Sequence, residues 1–171
     1  MASTSDLQTV PIALHVGTDD VPWVDDWLGV AGIRMKVLLA DVEGGVFVVR
    51  VGFAPGMQLP THLHTGSVHA YTFAGEWNYL EYPDSPPNRA GSYLYEPPGS
   101  THTLKVADHN IEETDALFVV TGAMVLYDEA GGVMDVIDAA SHKRDYLALV
   151  REQGKPVPRI IQGGQAKYTD G

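Results

Sequence analysis

The sequence predicts an all-β fold, either a sandwich or a barrel, from three observations. Short runs rich in β-branched and aromatic residues fill the middle of the chain, and turn signals separate them about every ten residues. Long helical periodicity is confined to one segment near the end. With 171 residues, 44% of them hydrophobic, the chain is long enough to bury the core of one domain.

The first two predicted strands form a hairpin. The segments KVLLADVE (36–43) and GVFVVRVGF (45–53) are joined through Gly44-Gly45, a turn signal between two apolar runs. Both segments are rich in valine, which favours the half-buried pleated surface of a sheet. Further extended segments are predicted at 69–82, 91–106 and 116–128.

Two flanking segments differ from this pattern. TDDVPWVDDWL (18–28) mixes acids with two tryptophans and is predicted to form a short helix or an arm that packs on the barrel. SHKRDYLALVREQG (141–154) places Tyr146, Leu147 and Val150 at helical spacing, which indicates one amphipathic helix. The predicted organisation is an N-terminal arm over 1–35, a barrel over 36–140, and a C-terminal helix and tail over 141–171.

Charge and composition exclude several classes of partner. The net charge of −11 argues against nucleic acid and against an anionic membrane surface, because both attract basic proteins. The sequence has no apolar run of membrane-spanning length and no visible signal peptide, so we expect a cytoplasmic protein. It contains no cysteine, so any metal ion must be bound by His, Asp or Glu.

The flanking segments also carry more apolar residues than a bare barrel needs. Segments 10–28 and 146–161 can cover a sheet edge of a neighbouring copy. We therefore expect a homodimer or a homotetramer.

Three of the seven histidines lie within eight residues of the sequence PTHLHTGSVHAY (60–71). His62 and His64 are two residues apart, so on a strand they share one face and can bind one metal ion. His69 follows a short turn, and His102 follows a Pro-Pro-Gly corner that can direct a side chain inward. A lone histidine is usually a surface or core residue, but four histidines in this arrangement predict a metal site.

Two segments resemble the paired motifs of the cupin superfamily. GMQLPTHLHTGSVHAYTFAG (56–75) is similar to the first motif, with Gly56, five residues and then His62-x-His64. GSYLYEPPGSTH (91–102) is similar to the second motif, which ends in His102. The resemblance implies a single-domain jelly-roll β-barrel with a short C-terminal helix, and a divalent metal held by His62, His64 and His102.

The first motif departs from the cupin pattern at a chemically important position. His69 stands where most cupins carry a glutamate, Gly75 comes one residue early, and Val106 replaces an asparagine of the second motif. Either His69 is a fourth, neutral ligand, or a carboxylate from elsewhere takes its place. Glu81 is the first candidate for that carboxylate. Glu96 is the second, as a partner that orients a histidine.

A narrower resemblance covers most of the chain. The segments HVGTDDVPWV (15–24), HTGSVHAYTFAGEWNYLE (64–81) and AGSYLYEPPGSTHTL (90–104) look like the 2,4'-dihydroxyacetophenone dioxygenase family. This resemblance implies a non-haem iron enzyme of aromatic compound degradation. Such an enzyme uses O2 to split the C–C bond of an aryl 2-hydroxyketone, or of a related diketone, into two carboxylic acids. Imidazole and carboxylate ligands suit Fe(II), but also Zn, Ni or Mn.

The same hypothesis assigns further roles. An aromatic ketone and O2 are the expected partners, and Glu81 or Glu96 would act as general base if it is not a metal ligand. Aromatic side chains near the motifs would bind the aryl ring, namely Tyr71, Phe73, Trp77, Tyr79 and Tyr93, with Tyr95 beside them. Two alternatives remain open: another metal-dependent cupin enzyme, such as an isomerase or a decarboxylase, or a non-enzymatic metal-binding sensor.

Overall fold

A computed structural model describes residues 13–17 and 19–164 of the chain. The described part is mostly β-structure followed by one α-helix, so the all-β prediction is confirmed. The first residues of the predicted arm (1–12) and the end of the predicted tail (165–171) lie outside the described residues. The strands are β1 (Ile33–Asp41), β2 (Val46–Phe53), β3 (His62–His64), β4 (Val68–Ala74), β5 (Glu76–Tyr79), β6 (Asn88–Arg89), β7 (Tyr93–Glu96), β8 (Thr101–His102), β9 (Leu104–Val106), β10 (Thr114–Thr121), β11 (Met124–Tyr127) and β12 (Val133–Ile137).

The largest sheet has five strands in the order β1-β2-β10-β4-β7, and all its pairings are antiparallel. The predicted β1–β2 hairpin is present, and Gly45 at its turn has a φ of 63°, a conformation that glycine adopts without strain. In β4, alternate residues are buried and exposed. Val68, Ala70 and Thr72 therefore face the core, and the residues between them face solvent.

Two smaller sheets complete the β-structure of the described residues. One has the order β12-β11-β3-β8 and contains the strands of His62, His64 and His102. The other has the order β6-β5-β9. Residues from the five-stranded and three-stranded sheets pack in one core that includes Val37, Phe47, Trp77 and Val106. Burial of such a core is the main stabilising contribution to the fold.

The C-terminal helix, α1 (Ala139–Glu152), begins two residues before the predicted segment. Asp138 explains this start, because its side chain accepts a hydrogen bond from the Ser141 N–H, and its own N–H donates one to Ser141 Oγ. The helix packs on β1. Its buried Tyr146 donates a hydrogen bond of 2.6 Å to the Pro22 carbonyl, which ties the helix to the N-terminal arm.

In the described part of the N-terminal arm (13–17 and 19–32), turns and bends precede one 3₁₀ turn at Trp27–Gly29. Val24 pairs with Met35 of β1, and the side chains of Val21, Val24 and Trp27 are buried in the core. Of the two alternatives predicted for this segment, a short helix or an arm that packs on the barrel, the structure shows the packed arm. Among the described residues, no helix is both long and apolar enough to cross a membrane.

Candidate metal centre

Strand alternation and one cross-strand pair bring three histidines together. His62 and His64 point inward from β3, and each is only 5% exposed. His102 on the neighbouring strand β8 is paired directly with His62 and is 1% exposed. One ring nitrogen from each of the three lies within 4.8 Å of the others, so the group can hold a metal ion.

The turn between β7 and β8 sets the position of His102. Pro98 and Gly99 occupy the two central positions, Gly99 has a φ of 83°, and the Ser100 N–H donates to the Pro97 carbonyl at 3.1 Å, as in a type II turn. The Gly99 N–H also donates to the His64 carbonyl at 2.7 Å. The sharp corner therefore lies directly against β3, so that His102 is held beside His62 and His64.

The protonation states of these histidines favour metal binding. The Nδ1–H of His62 donates to the Pro60 carbonyl at 2.9 Å, which leaves its Nε2 with a free lone pair. Burial lowers the pKa of His62, and burial lowers the pKa of His64 to about 4. Both rings are therefore neutral at pH 7, which is the form that binds a metal.

Glu96 supplies the carboxylate of the cluster. Its side chain is 3% exposed, and its Oε2 lies 3.3 Å from His64 Nε2 and 3.2 Å from His102 Nε2. Around one ion with bonds of about 2.0–2.1 Å, neighbouring donor atoms are separated by roughly these distances. Burial raises the pKa of Glu96, but its contacts with His102, His64 and Tyr79 outweigh that effect, and the pKa is lowered overall. Glu96 is thus ionised at neutral pH.

Several buried polar atoms of this cluster have no hydrogen-bond partner among the described residues. They include Glu96 Oε2 and His102 Nε2, which are close to each other but not in hydrogen-bond geometry, together with His64 Nδ1 and Ser100 Oγ. Unpaired buried polar atoms each cost about 1–3 kcal/mol. A divalent cation between Glu96 and the histidines would satisfy the first two atoms, so the donor set fits a metal. Imidazole and carboxylate together suit Fe(II), Mn, Ni or Zn.

Tyr79 supports two members of the cluster at once. Its hydroxyl donates a hydrogen bond to Glu96 Oε1, and its ring stacks on His102 with centroids 3.8 Å apart and an interplanar angle of 16°. Burial and the adjacent Glu96 charge raise the pKa of Tyr79 well above its usual value. Tyr79 is therefore a permanent hydrogen-bond donor that orients the carboxylate.

The cluster borders an apolar cavity inside the barrel. The cavity has a volume of about 90 Å³ and is partly open to solvent. The polar side chains in its wall are His62, His64, Tyr79 and His142. The rest of the wall is apolar and includes Trp27, Met35, Phe47, Val51, Phe53, Leu104, Phe118 and Met124.

The structure does not bring His69 to the cluster. His69 occupies an outward position on β4, its side chain is exposed, and its Nδ1 is hydrogen-bonded to the Tyr93 hydroxyl at 2.6 Å. The inward neighbour is Val68, which is paired with Glu96 of β7. The carboxylate therefore enters from the strand beside β4 rather than from β4 itself, a cross-strand relation that spacing along the chain does not reveal.

Glu81 also lies apart from the cluster. Strand β5 ends at Tyr79, so the alternation that would place Glu81 on the same face as Trp77 and Tyr79 does not extend to it. Its side chain is exposed, and its Oε2 accepts a hydrogen bond of 2.8 Å from the Thr103 N–H. Burial raises the pKa of Glu81, but the Thr103 contacts outweigh that effect and lower it. This hydrogen bond connects the segment that follows β5 to Thr103, the residue next to His102.

The predicted aryl-binding residues divide between the two sides of the wall. Tyr71, Phe73 and Tyr93 are 42%, 44% and 63% exposed on the outer surface, so they do not face the cavity. Trp77 is buried in the core, where its Nε1–H donates to Thr72 Oγ1 at 3.0 Å. Tyr79 is the member of this set that lines the cavity. Tyr95 is also exposed, at 52%.

Sequence comparison places the chain in a family. A family model described as the ChrR cupin-like domain matches residues 13–125, which is more than half of the chain. The chain belongs to this cupin family. The jelly-roll expectation is thereby confirmed. No curated protein shows a significant match to the sequence.

Solved structures show the same fold. A Ralstonia eutropha JMP134 protein of unknown function with a cupin-like fold is 35% identical, with a TM-score of 0.85; the match covers 94% of this chain and 99% of that one. An RmlC-like cupin from the same organism is 23% identical, with a TM-score of 0.81 over 92% and 98% of the chains. An acetylacetone dioxygenase from Acinetobacter johnsonii is 18% identical, with a TM-score of 0.66 over 82% and 94%.

Proposed function

We propose that this protein is an iron-dependent dioxygenase. It would use O2 to cleave the C–C bond of an aryl 2-hydroxyketone into two carboxylic acids, or the corresponding bond of a related β-diketone into one carboxylic acid and one 2-oxoaldehyde. One observation carries the proposal: three buried histidines and a buried carboxylate form one cluster, and two of these histidines, His62 and His64, line an apolar cavity. This combination provides a metal site beside space for an uncharged organic substrate.

The proposed ligand set is His62, His64, His102 and Glu96. When bound there, Fe(II) would supply Lewis acidity toward the substrate oxygens and electron transfer to O2. The Pro60 carbonyl fixes the ring of His62, and the Tyr79 hydroxyl fixes the carboxylate of Glu96. One carboxylate among neutral imidazoles gives the protein ligands a charge of −1, which offsets part of the charge of a divalent ion.

The cavity wall and Glu96 would perform the remaining tasks. Side chains such as Phe47, Phe53 and Phe118 would pack against the apolar part of the substrate and exclude water, which protects reactive species from hydrolysis. If Glu96 does not bind the metal, its ionised carboxylate, whose Oε2 lacks a hydrogen-bond partner among the described residues, would instead accept a proton from the carbon next to the substrate carbonyl.

The two roles of Glu96 can be separated by one variant. Glu96→Gln keeps the shape of the side chain and removes its charge. If Glu96 is mainly a ligand, metal content falls together with activity; if it is mainly a base, metal content is retained while activity is lost. Tyr79→Phe should change both properties in the same direction as Glu96→Gln, but less, because it removes only the hydrogen bond to Oε1.

The choice of substrates follows from the two resemblances. The 2,4'-dihydroxyacetophenone dioxygenase family, which the sequence resembles, suggests an aryl hydroxyketone. The Acinetobacter johnsonii protein is named an acetylacetone dioxygenase, and its 18% identity supports a shared fold alone, but its name makes a β-diketone the second substrate to test. Both compounds are small and uncharged enough for an apolar cavity.

An oxygen electrode tests the proposal directly. Fe(II)-loaded protein is mixed with 2,4'-dihydroxyacetophenone or with acetylacetone, and the products are identified by mass spectrometry. The expected result is one O2 consumed for each C–C bond cleaved. Zn-loaded protein and the His62→Ala variant serve as controls. Absence of uptake with both substrate classes would count against the dioxygenase and favour an isomerase, a decarboxylase or a metal-binding sensor.

A further inference from the structure

His142 is a buried polar residue that the proposed metal chemistry does not use. It lies on α1, is 1% exposed, and lines the same cavity as His62, His64 and Tyr79. Its ring stacks on Phe47, with centroids 4.2 Å apart and an interplanar angle of 25°. Among the described residues, the group that could hold a metal ion consists of His62, His64 and His102 and does not include His142.

The backbone of the helix fixes the tautomer of His142. Its Nδ1 lies 3.2 Å from the Asp138 carbonyl oxygen, and since a carbonyl only accepts, the hydrogen must be on Nδ1. Burial lowers the pKa of His142 to about 4, so the ring carries only that one hydrogen at pH 7. The second nitrogen, Nε2, is therefore a bare acceptor.

No hydrogen bond to Nε2 is present within the part of the chain that the structure describes. The ring stacks on Phe47 and also on Trp27, whose ring centroid lies 5.4 Å away at an interplanar angle of 23°. Two stacked aromatic neighbours and one fixed nitrogen leave the imidazole little freedom to turn. Its Nε2 acceptor thus has a fixed position in a mainly apolar wall.

We propose that His142 determines ligand specificity by accepting, at Nε2, a hydrogen bond from a hydroxyl group of the molecule in the cavity. This inference rests on the proposed function in one respect, namely that the cavity beside the metal cluster is the substrate site. It adds a substrate class: an uncharged, mainly apolar molecule that carries one O–H donor apart from the group that meets the metal. A ligand with only acceptors there would repel the Nε2 lone pair.

The expected discrimination is large enough to measure. A buried acceptor that loses its partner costs more than the net value of a surface hydrogen bond, because water cannot replace the partner. A phenol should therefore bind roughly 10–100-fold more tightly than a molecule of the same shape in which a methyl group replaces the hydroxyl. Affinity for the methyl compound comes from the apolar wall alone.

Isothermal titration calorimetry with 4-ethylphenol and 4-ethyltoluene tests this inference. Neither probe carries a ketone, so neither can chelate the metal, and both report the affinity of the cavity itself. The titrations use full-length protein in its metal-free and in its Zn-loaded form. The expected result is a phenol preference of roughly 10–100-fold that falls to about 1–3-fold in His142→Phe. His69→Phe, which changes an exposed histidine, should keep the preference. An equal affinity of the unmodified protein for both probes would overturn the proposal, as would a full preference in a folded His142→Phe protein.

A second measurement does not depend on the variant folding correctly. In ¹⁵N-labelled unmodified protein, the imidazole spectrum should show His142 as the neutral tautomer with hydrogen on Nδ1. Its Nε2 signal should shift when 4-ethylphenol is added and stay in place with 4-ethyltoluene. A signal unmoved by both probes would contradict the inference. If the phenol preference and the Nε2 shift are observed but no O2 is consumed, only the dioxygenase proposal is rejected. If O2 is consumed but neither the preference nor the shift is observed, only the role of His142 is rejected.

Discussion

The inner and outer sides of the barrel wall carry the same kinds of residue in opposite settings. On the inside, His62, His64 and His102 are buried beside Glu96 and Tyr79. On the outside, His69 is exposed among Tyr71, Phe73, Tyr93 and Tyr95. Histidine and tyrosine occur in both places, and both places contain a histidine–tyrosine contact: His102 with Tyr79, and His69 with Tyr93.

The difference lies in burial rather than in residue type. Inside, burial lowers the pKa of His62 and His64, so their imidazoles are neutral at pH 7. The contacts of Glu96 with its neighbours lower its pKa, so its carboxylate stays ionised. A bound ion can satisfy buried polar atoms of this cluster that have no partner among the described residues. Outside, water satisfies the same groups, and their contacts contribute little to stability. Matched substitutions on the two sides therefore test the proposed site against an internal control.

The largest expected effect is the loss of the metal. His62→Ala and His102→Ala each remove one of the three imidazoles, and we expect metal affinity to fall by more than about 100-fold, since loss of even an outer partner costs 10–100-fold. Mass spectrometry of metal content after dialysis against Fe(II) or Zn checks this. His69→Ala should bind as much metal as the unmodified protein; a loss there, or full metal in both inner variants, would refute the assignment.

The next effect is on stability against acid. The unfolded state protonates His142 near pH 6.5, but burial lowers its pKa to about 4 in the folded state, so the unfolded state binds more protons between these values. The contribution of His142 to stability is therefore complete above about pH 6.5 and falls by about 3 kcal/mol as the pH approaches 4. Urea unfolding of metal-free protein across this range measures it. His142→Phe should give a flatter profile, whereas His69→Phe should not.

Replacement of the carboxylates should have a smaller effect. Glu96→Gln removes the buried charge beside His64 and His102, and we expect metal affinity to fall about 10–100-fold. Competition with a chelating dye measures the affinity. Glu81→Gln removes an exposed carboxylate that contacts the Thr103 N–H, so its metal affinity should stay within about threefold. A larger loss in Glu81→Gln than in Glu96→Gln would reverse the proposed ligand set.

The two tyrosines that contact a histidine form the next matched pair. Tyr79→Phe keeps the ring that stacks on His102 but removes the hydrogen bond to Glu96, so we expect about a tenfold loss of metal affinity. Tyr93→Phe removes the hydroxyl that meets His69 on the outside and should have no measurable effect. Equal behaviour of the two variants would show that the contact with Glu96 is unimportant for the metal.

The smallest effect on stability is expected from the outer aromatic residues. Phe73→Ser and Tyr93→Ser change exposed side chains, so each should alter the free energy of unfolding by no more than about 0.5 kcal/mol. If this face is the contact of the expected homodimer or homotetramer, light scattering should show the double variant shifting toward the 18.5 kDa monomer. An unchanged mass would place any self-association elsewhere.

Much of the fold follows from local patterns that act within one strand or turn. The valine-rich hairpin, the helical spacing near Tyr146 and the type II turn chemistry of Pro98-Gly99 all act over a few residues, and the structure contains each of them. The pairing of His62 with His64 on one face also follows from alternation alone. The helix start at Ala139 was missed because the N-cap, Asp138, lies before the periodic segment.

The sequence by itself determined the all-β class, the absence of thiolate ligands, and the motif histidines that meet in one cluster. Only the tertiary structure decided which carboxylate joins them, because Glu96 reaches the cluster through its pairing with Val68 and not through spacing from His64. Neighbouring residues of β4 lie on opposite faces of the strand, so His69 points to water while Val68 points inward. The role of His142 likewise depends on packing of α1 against Phe47, a contact between residues far apart in the chain.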